Sequence, residues 1–343
     1  MKLCEVDKSK ISPMMLQYID IKEKNMDVIL FFRLGDFYEM FFEDAYIASK
    51  ELELTLTGKN AGLDERIPMC GIPYHAASIY LEKLVEKGYK VAICEQVEDP
   101  KTAKGVVKRE VMQIVSSGTV MNSDALDEKS NNYIGNVLDF NSSYVICYTD
   151  LSTGEVNAKM INHDTDTLIN TILSLGLNEI VFKSDFNKYV VDTLRNKCRL
   201  NVSISDYICD TDEYKYIYDF VLDERYIICI NHLLSYLIDT QKRSLTHLQR
   251  VNIIENIYLN IDVNSIRNLE LVESLRLKSR NYSLLWLLDK TKTAMGSRML
   301  KNWILNPLTN IEEINKRYDI ISTLETEFIL KEELKNYLNE VYD

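Results

Sequence analysis

The sequence predicts a multidomain chain in three parts: an α/β domain on a mixed sheet, a second α/β domain that opens as an antiparallel meander, and an all-α segment. Three observations predict it. The 343 residues are enough for two or three domains. The apolar texture is mixed strand and helix up to about residue 115 and again beyond the linker, and becomes mostly helical after about residue 211. A polar, charged stretch from Asn122 to Asn132, poor in large apolar residues, separates the first two parts. The expected domains are therefore 1–115, a linker over 116–131, then 132–250 and 251–343.

In the first part, Ser12-Pro13-Met14 opens a helix running to about Glu23, with proline placed where a first helical turn accepts it. Asp27 to Arg33 reads as a short apolar strand, Asp36 to Leu52 as a helix and Glu53 to Thr57 as a strand. A polar loop covers Gly58 to Arg66. Ala76 to Lys87 is a helix with Tyr80, Leu81, Leu84 and Val85 on its apolar face. Val91 to Gln96 and Glu110 to Ser116 are strands.

Beyond the linker, Tyr133 to Phe140, Ser143 to Thr149 and Glu155 to Ile161 are successive strands, joined by Asn141-Ser142 and Ser152-Thr153-Gly154 turns. Asp164 to Leu175 is a helix, Glu179 to Lys183 a strand and Asp185 to Lys197 a helix. Three antiparallel strands followed by helix, strand and helix is a ribonuclease H-like order, which speaks for fold and not for function. Tyr214 to Thr240 is helical with a break near Asp223. Asn264 to Leu277, Ser283 to Thr291, Ala294 to Leu305 and Asn310 to Leu324 are helices. Asn310 and Glu313 have the spacing of a capping box, and Pro307 ends the helix before it. Glu327 to Asp343 is still helical in pattern where the sequence stops, which raises the expectation of a truncation.

Composition narrows the function classes. No run of about 18 apolar residues exists, so no membrane span is expected, and the polar start Met1-Lys2-Leu3-Cys4-Glu5 is not a signal peptide. The seven cysteines (4, 70, 94, 147, 198, 209, 229) form no CxxC pair and lie apart from the four histidines. A zinc site or a disulfide framework is not expected, and a reducing cytoplasmic location is. A net charge of −12 is unlike a generic nucleic-acid binder, and residues 1–117 hold 16 Lys and Arg against 19 Asp and Glu. One local cluster is basic: Lys101, Lys104, Lys108 and Arg109.

The most unusual segment is Phe31-Phe32-Arg33-Leu34-Gly35-Asp36-Phe37-Tyr38-Glu39-Met40-Phe41-Phe42, with five phenylalanines in twelve residues. Gly35 permits a sharp turn. Two readings stand side by side. In one, Asp36 caps a helix, Glu39 completes a capping box and the aromatic residues are core. In the other, Phe37 is exposed at the helix start as an apolar wedge of the kind that unstacks a base step and kinks a duplex. A kink costs least where pairing is faulty. Glu39 beside it would offer a carboxylate to a displaced base edge, a selectivity device because the same charge repels phosphates. A helix N-terminus would also suit a phosphate.

Gly35-Asp36-Phe37-Tyr38-Glu39-Met40-Phe41 resembles the mismatch-reading Phe-x-Glu motif of the MutS family. Further stretches resemble that family in order: Ile67-Pro68-Met69-Cys70-Gly71-Ile72-Pro73-Tyr74-His75-Ala76, then Val91-Ala92-Ile93-Cys94-Glu95-Gln96 with Asp99-Pro100 and Lys104-Gly105. Asp150-Leu151-Ser152-Thr153-Gly154-Glu155 resembles its connector-domain turn. Arg267-Asn268-Leu269-Glu270-Leu271 and Met295-Gly296-Ser297-Arg298-Met299-Leu300 resemble its lever-helix segments. The resemblance implies a mismatch-binding domain, a connector domain and the start of a helical core or lever domain. It implies recognition of mismatches and small insertion or deletion loops in double-stranded DNA, with Phe37 stacking on the mispaired base and Glu39 hydrogen-bonding to it. By position, Lys59, Lys108 and Arg109 would touch the DNA backbone and Leu34 would pack beside the wedge. The family also implies, for the full-length protein, a homodimer, a MutL-type partner docking on the connector, and ATP with magnesium.

The phosphate loop GxxxxGK[ST] that would bind that ATP is absent from these 343 residues, so no cofactor and no ATPase activity are expected of this part. Two alternatives remain. Asp139 and Asp150, on neighbouring strands, are the candidates for a magnesium-dependent nuclease. A partner-binding relative of the family that does not read mismatches would lack the Phe-x-Glu pair, which this chain has. His75 is expected to be structural.

Overall fold

A computed structural model of the chain describes residues 3, 8, 11–63, 65–98, 105–120, 130–254, 258–259 and 261–341. They fall into two compact units. The first comprises the chain up to Val120 with Tyr207–Asp210 and Leu234–Thr246, and the second holds the rest.

The first unit is built on α1 (Pro13–Glu23), β1 (Ile29–Leu34), β2 (Phe37–Phe41), α2 (Phe42–Glu51), β3 (Thr57–Lys59), β4 (Ile67–Pro73), α3 (Ala77–Glu86), β5 (Val91–Gln96) and β6 (Arg109–Val115). The strands form one mixed sheet in the order β3-β4-β2-β1-β5-β6. Only β1 and β5 run parallel. Met15, Tyr18 and Ile19 of α1 meet Leu30, Phe32, Phe41, Ile67 and Cys94 of the sheet in a continuous buried core. Tyr18 meets the Phe32 and Phe41 rings edge-on at 5.3 and 4.9 Å, the arrangement their quadrupoles favour. Lys22 and Asp44 form a buried ion pair at 2.9 Å. Burial raises the Asp44 carboxyl, while Lys22 and the Leu30 N–H hold it down.

The expected helix from Asp36 to Leu52 is a strand followed by a shorter helix. Leu34 pairs with Phe37, so Gly35 and Asp36 are the two central residues of a hairpin turn. Gly35 has φ of 58°, as the first central position of a type II′ turn requires. Aromatic residues then favour the pleated surface. The capping box of Asp36 and Glu39 therefore does not form, nor does a helix N-terminus beside Phe37. The helix begins only at Phe42, whose φ of 54° is unusual for a bulky residue and is held by a ring buried on all sides. The strand expected over Glu53–Thr57 lies instead at Thr57–Lys59, and β4 was not foreseen, because Pro68, Gly71 and Pro73 read as strand breakers.

The second unit contains β7 (Tyr133–Asp139), β8 (Ser143–Asp150), β9 (Glu155–Asn162), α4 (Thr165–Ser174), β10 (Glu179–Phe182), α5 (Lys188–Asp192) and β11 (Asn201–Ile204). It takes in the first half of α6 (Glu224–Gln241), then β12 (Asn252–Ile253). The sheet order is β11-β10-β7-β8-β9-β12. The meander β7-β8-β9 is antiparallel, while β10 and β11 run parallel to β7, a ribonuclease H-like arrangement. The helix expected to Lys197 relaxes after Asp192 into a π-helical turn, and β11 escaped the sequence reading.

The helical part holds α7 (Val263–Asn268), α8 (Leu284–Leu288), α9 (Ala294–Leu305), α10 (Ile311–Thr326) and α11 (Phe328–Leu338). The helix expected to reach Leu277 stops at Asn268, and left-handed residues follow at Glu270, Lys278 and Tyr282. Asp262, Ser283, Thr293 and Asn310 cap helices with their side chains. Asn310 does so alone, because Glu313 pairs with Lys316 instead of closing the box. Among the described residues, no helix is long and apolar enough to cross a membrane.

Candidate nucleic-acid interface

Two hydrogen bonds and a cation fix the tip of the β1–β2 hairpin. Arg33 Nε donates to the Gly35 carbonyl at 2.5 Å, and the Tyr74 N–H donates to the Asp36 carbonyl at 2.9 Å. The Arg33 guanidinium lies 3.9 Å over the Tyr74 ring and 3.7 Å from Glu95. The Tyr38 hydroxyl donates to the same Glu95, and burial with that carboxylate raises its pKa. Arg33 and Tyr38 pair across the hairpin and share one face. They brace the turn from behind. Sequence reasoning missed this group; the alternation of Tyr38 with Phe37 and Glu39 was the available signal.

The opposite face carries the site. Phe32 pairs with Glu39 and Leu34 with Phe37, so these four residues lie on the face that also bears Phe41. Phe41 is fully buried under α1, whereas Phe37 at the tip is 48% exposed. Phe37 has no ring partner among the described residues. Leu34 is half-buried and packs against the core. Glu39 is partly covered, and its carboxylate meets the Lys59 ammonium at 2.5 Å. The structure thus brings Phe37, Leu34, Glu39 and Lys59 together.

The other two expected residues separate. Lys108 is exposed, with its ammonium 2.6 Å from Glu110, which raises its pKa. Arg109 is buried. Its guanidinium donates to the Arg33 carbonyl at 2.7 Å, to the Val107 carbonyl at 2.7 Å and to Gln17 at 3.1 Å, and lies 5.0 Å over the Phe32 ring. Placing Arg109 on DNA from its position in the sequence conflicts with this role as an internal strut. Lys101 and Lys104 lie outside the described residues. His75 is exposed in a single 3-10 turn, edge-on to Tyr74.

The nuclease alternative fails on register. Tyr133 pairs with Asp150 and Asp139 with Tyr144, so the two carboxylates sit at opposite ends of the β7–β8 ladder. Six residue steps put them about 20 Å apart, too far to share a metal ion. Asp150 is buried and accepts from the N–H of Asn132 and Ser152, the Asn131 amide and the Ser152 hydroxyl. Asp139 meets His163 at the surface.

Three family models match the chain in order: MutS domain I over residues 12–124, MutS domain II over 132–249 and MutS domain III over 264–343. Proteins named DNA mismatch repair protein MutS from Bacillus thuringiensis (strain Al Hakam) and Bacillus cereus (strain B4264) are each 48% identical to it over 337 residues. The same holds for that of Bacillus anthracis (strain CDC 684 / NRRL 3495). Each match covers 98% of this chain, which spans 38% of the length of these curated relatives.

Proposed function

The chain belongs to the MutS family, and from that premise we propose that its first domain recognises mismatched or looped-out bases in double-stranded DNA. Phe37 is the wedge and Glu39 the base contact. One observation carries this reading: a phenylalanine left half-exposed at the tip of a hairpin whose two central carbonyls are both held by hydrogen bonds. A ring held out in this way loses little conformational freedom when a base stacks on it, and stacking contributes about 1–3 kcal/mol per base. The cost of opening a base step falls at a mispair, so the wedge converts duplex weakness into affinity. Glu39, one residue pair inward on the same face, discriminates by repelling phosphates and accepting a hydrogen bond from a displaced base. Lys108 is the outward-facing cation for the backbone, and Lys59 a nearer one.

The longer protein acts as a homodimer in the cytoplasm, engages a MutL-type partner through the second domain, and draws ATP and magnesium from a part this chain does not span. The reading in which the chain only binds a partner leaves the exposed Phe37 without a role. The test is a gel-shift comparison of matched duplex, single-mismatch duplex and duplex with one extra base, using the full protein. Phe37→Ala removes the preference, by about tenfold or more, and leaves the fold intact. Retained preference in a folded variant overturns the proposal.

A further inference from the structure

We propose that Lys59 sets the selectivity of this site by holding the Glu39 carboxylate until a displaced base competes for it. The proposal rests on the reading of Glu39 as the base contact and adds the group that occupies Glu39 when no such base is present.

The geometry is specific. Lys59 ends β3, which is separated from β2 by β4 in the sheet order. Its ammonium lies 5.5 Å from the centre of the Phe41 ring and reaches Oε2 of Glu39 at 2.5 Å. The residue of β4 that pairs with Glu39 is Gly71, whose absent Cβ would stand 3.5 Å from the Glu39 Cγ. The neighbouring strand therefore offers Glu39 no side chain, and the carboxylate turns to Lys59. The two side chains are 17% and 29% exposed, so water and a ligand can reach both.

The physical consequence concerns charge. A paired carboxylate and ammonium present almost no net charge to a phosphate, whereas a lone carboxylate repels it. On matched duplex no base edge is displaced, and Glu39 stays with Lys59. On a mismatch, a displaced base edge takes the carboxylate, and the freed ammonium turns to the backbone as a new cation. One exchange of partners thus adds a base contact and a phosphate contact together. Without Lys59, the carboxylate is unscreened in every complex. The matched complex then loses its neutral pair, while the mismatched complex loses a phosphate contact but no longer has an ion pair to break.

The test is a double-mutant cycle in the full protein, with affinities for matched and single-mismatch duplex measured at one fixed salt concentration. Lys59→Met keeps a long unbranched side chain and removes the charge. It weakens matched binding more than mismatched binding and raises the ratio of the two affinities about two- to fivefold, the range that a part-exposed ion pair supports. Lys59→Arg keeps the pair and the ratio. In a Glu39→Gln background, Lys59→Met changes both affinities by the same factor, because Lys59 is already released. If Lys59→Met changes both by one factor in both backgrounds, Lys59 is a plain backbone contact and the proposal is overturned. If Glu39→Gln alone leaves the ratio unchanged, the underlying reading of Glu39 fails, which is a separate and distinguishable result.

Discussion

Each sheet of this chain contains a tight turn between antiparallel strands, and the two turns treat their side chains in opposite ways. At Leu34–Phe37, the turn is stiffened through its backbone carbonyls, by Arg33 and the Tyr74 N–H, while the large apolar side chain beside it is left outside. At Asp150–Glu155, the most polar side chain is drawn inside and accepts four hydrogen bonds. Both stretches carry motifs that resemble the same family. The first leaves a large apolar side chain without a ring partner among the described residues, whereas the second uses its carboxylate on the donors of its own turn, as buried polar groups do. Phe37 is thus the proposed binding position, and Asp150 is a structural one.

The comparison is sharpest within β2, where Phe37 and Phe41 share a face. Phe41→Ala is expected to destabilise the chain by about 3–5 kcal/mol, as emptying a packed site does. Phe37→Ala should change stability by less than about 1 kcal/mol, since its ring is already half in water. Urea unfolding of the two variants checks the contrast, and equal losses would break it by making Phe37 a core residue. Asp150→Ala comes next, with an expected loss of about 2–4 kcal/mol from the buried donors it leaves unsatisfied. A variant of unaltered stability would show that the second turn does not depend on its carboxylate.

The smallest effect lies at a buried imidazole on α6. His232 Nε2 donates to the Ser205 carbonyl at 2.9 Å, and Nδ1 accepts from the Asn136 amide at 2.9 Å. Burial lowers its pKa, so the folded state disfavours the protonated form. Below the ordinary histidine range the unfolded chain takes up a proton that the folded chain resists, and stability falls as the pH drops from about 7 toward 5. The slope cannot exceed about 1.4 kcal/mol per pH unit for one group. His232→Gln should flatten it, and unfolding free energies at three pH values would reveal a slope that persists.

Much of the architecture was legible in the chain because apolar periodicity reports burial directly. The meander β7-β8-β9 lies where its turns divide the apolar runs, α3 where a 3.6-residue period places it, α1 where Ser12-Pro13 starts a helix, and β5 on its short apolar run. What misled was local capping chemistry. Asp36 and Glu39 have the spacing of a helix start, which outweighed the turn signal of Gly35 and the alternation of Phe37, Tyr38 and Glu39. β4 was hidden because its prolines and glycine are poor strand residues. It forms because β2 and β3 supply partners on both sides.

By itself, the sequence determined that Phe37 and Glu39 occur two residues apart in a family-like context, and that the chain carries no phosphate loop. A spacing of two is ambiguous: on a helix it splays the side chains well apart, on a strand it puts them on one face. Only the tertiary structure decided between these, by pairing β2 with β1 and β4. The same pairing sent Arg109 inward under Arg33 and brought Lys59, twenty residues away in sequence, onto Glu39. Those contacts are made between strands, where proximity follows from register and not from any pattern along the chain.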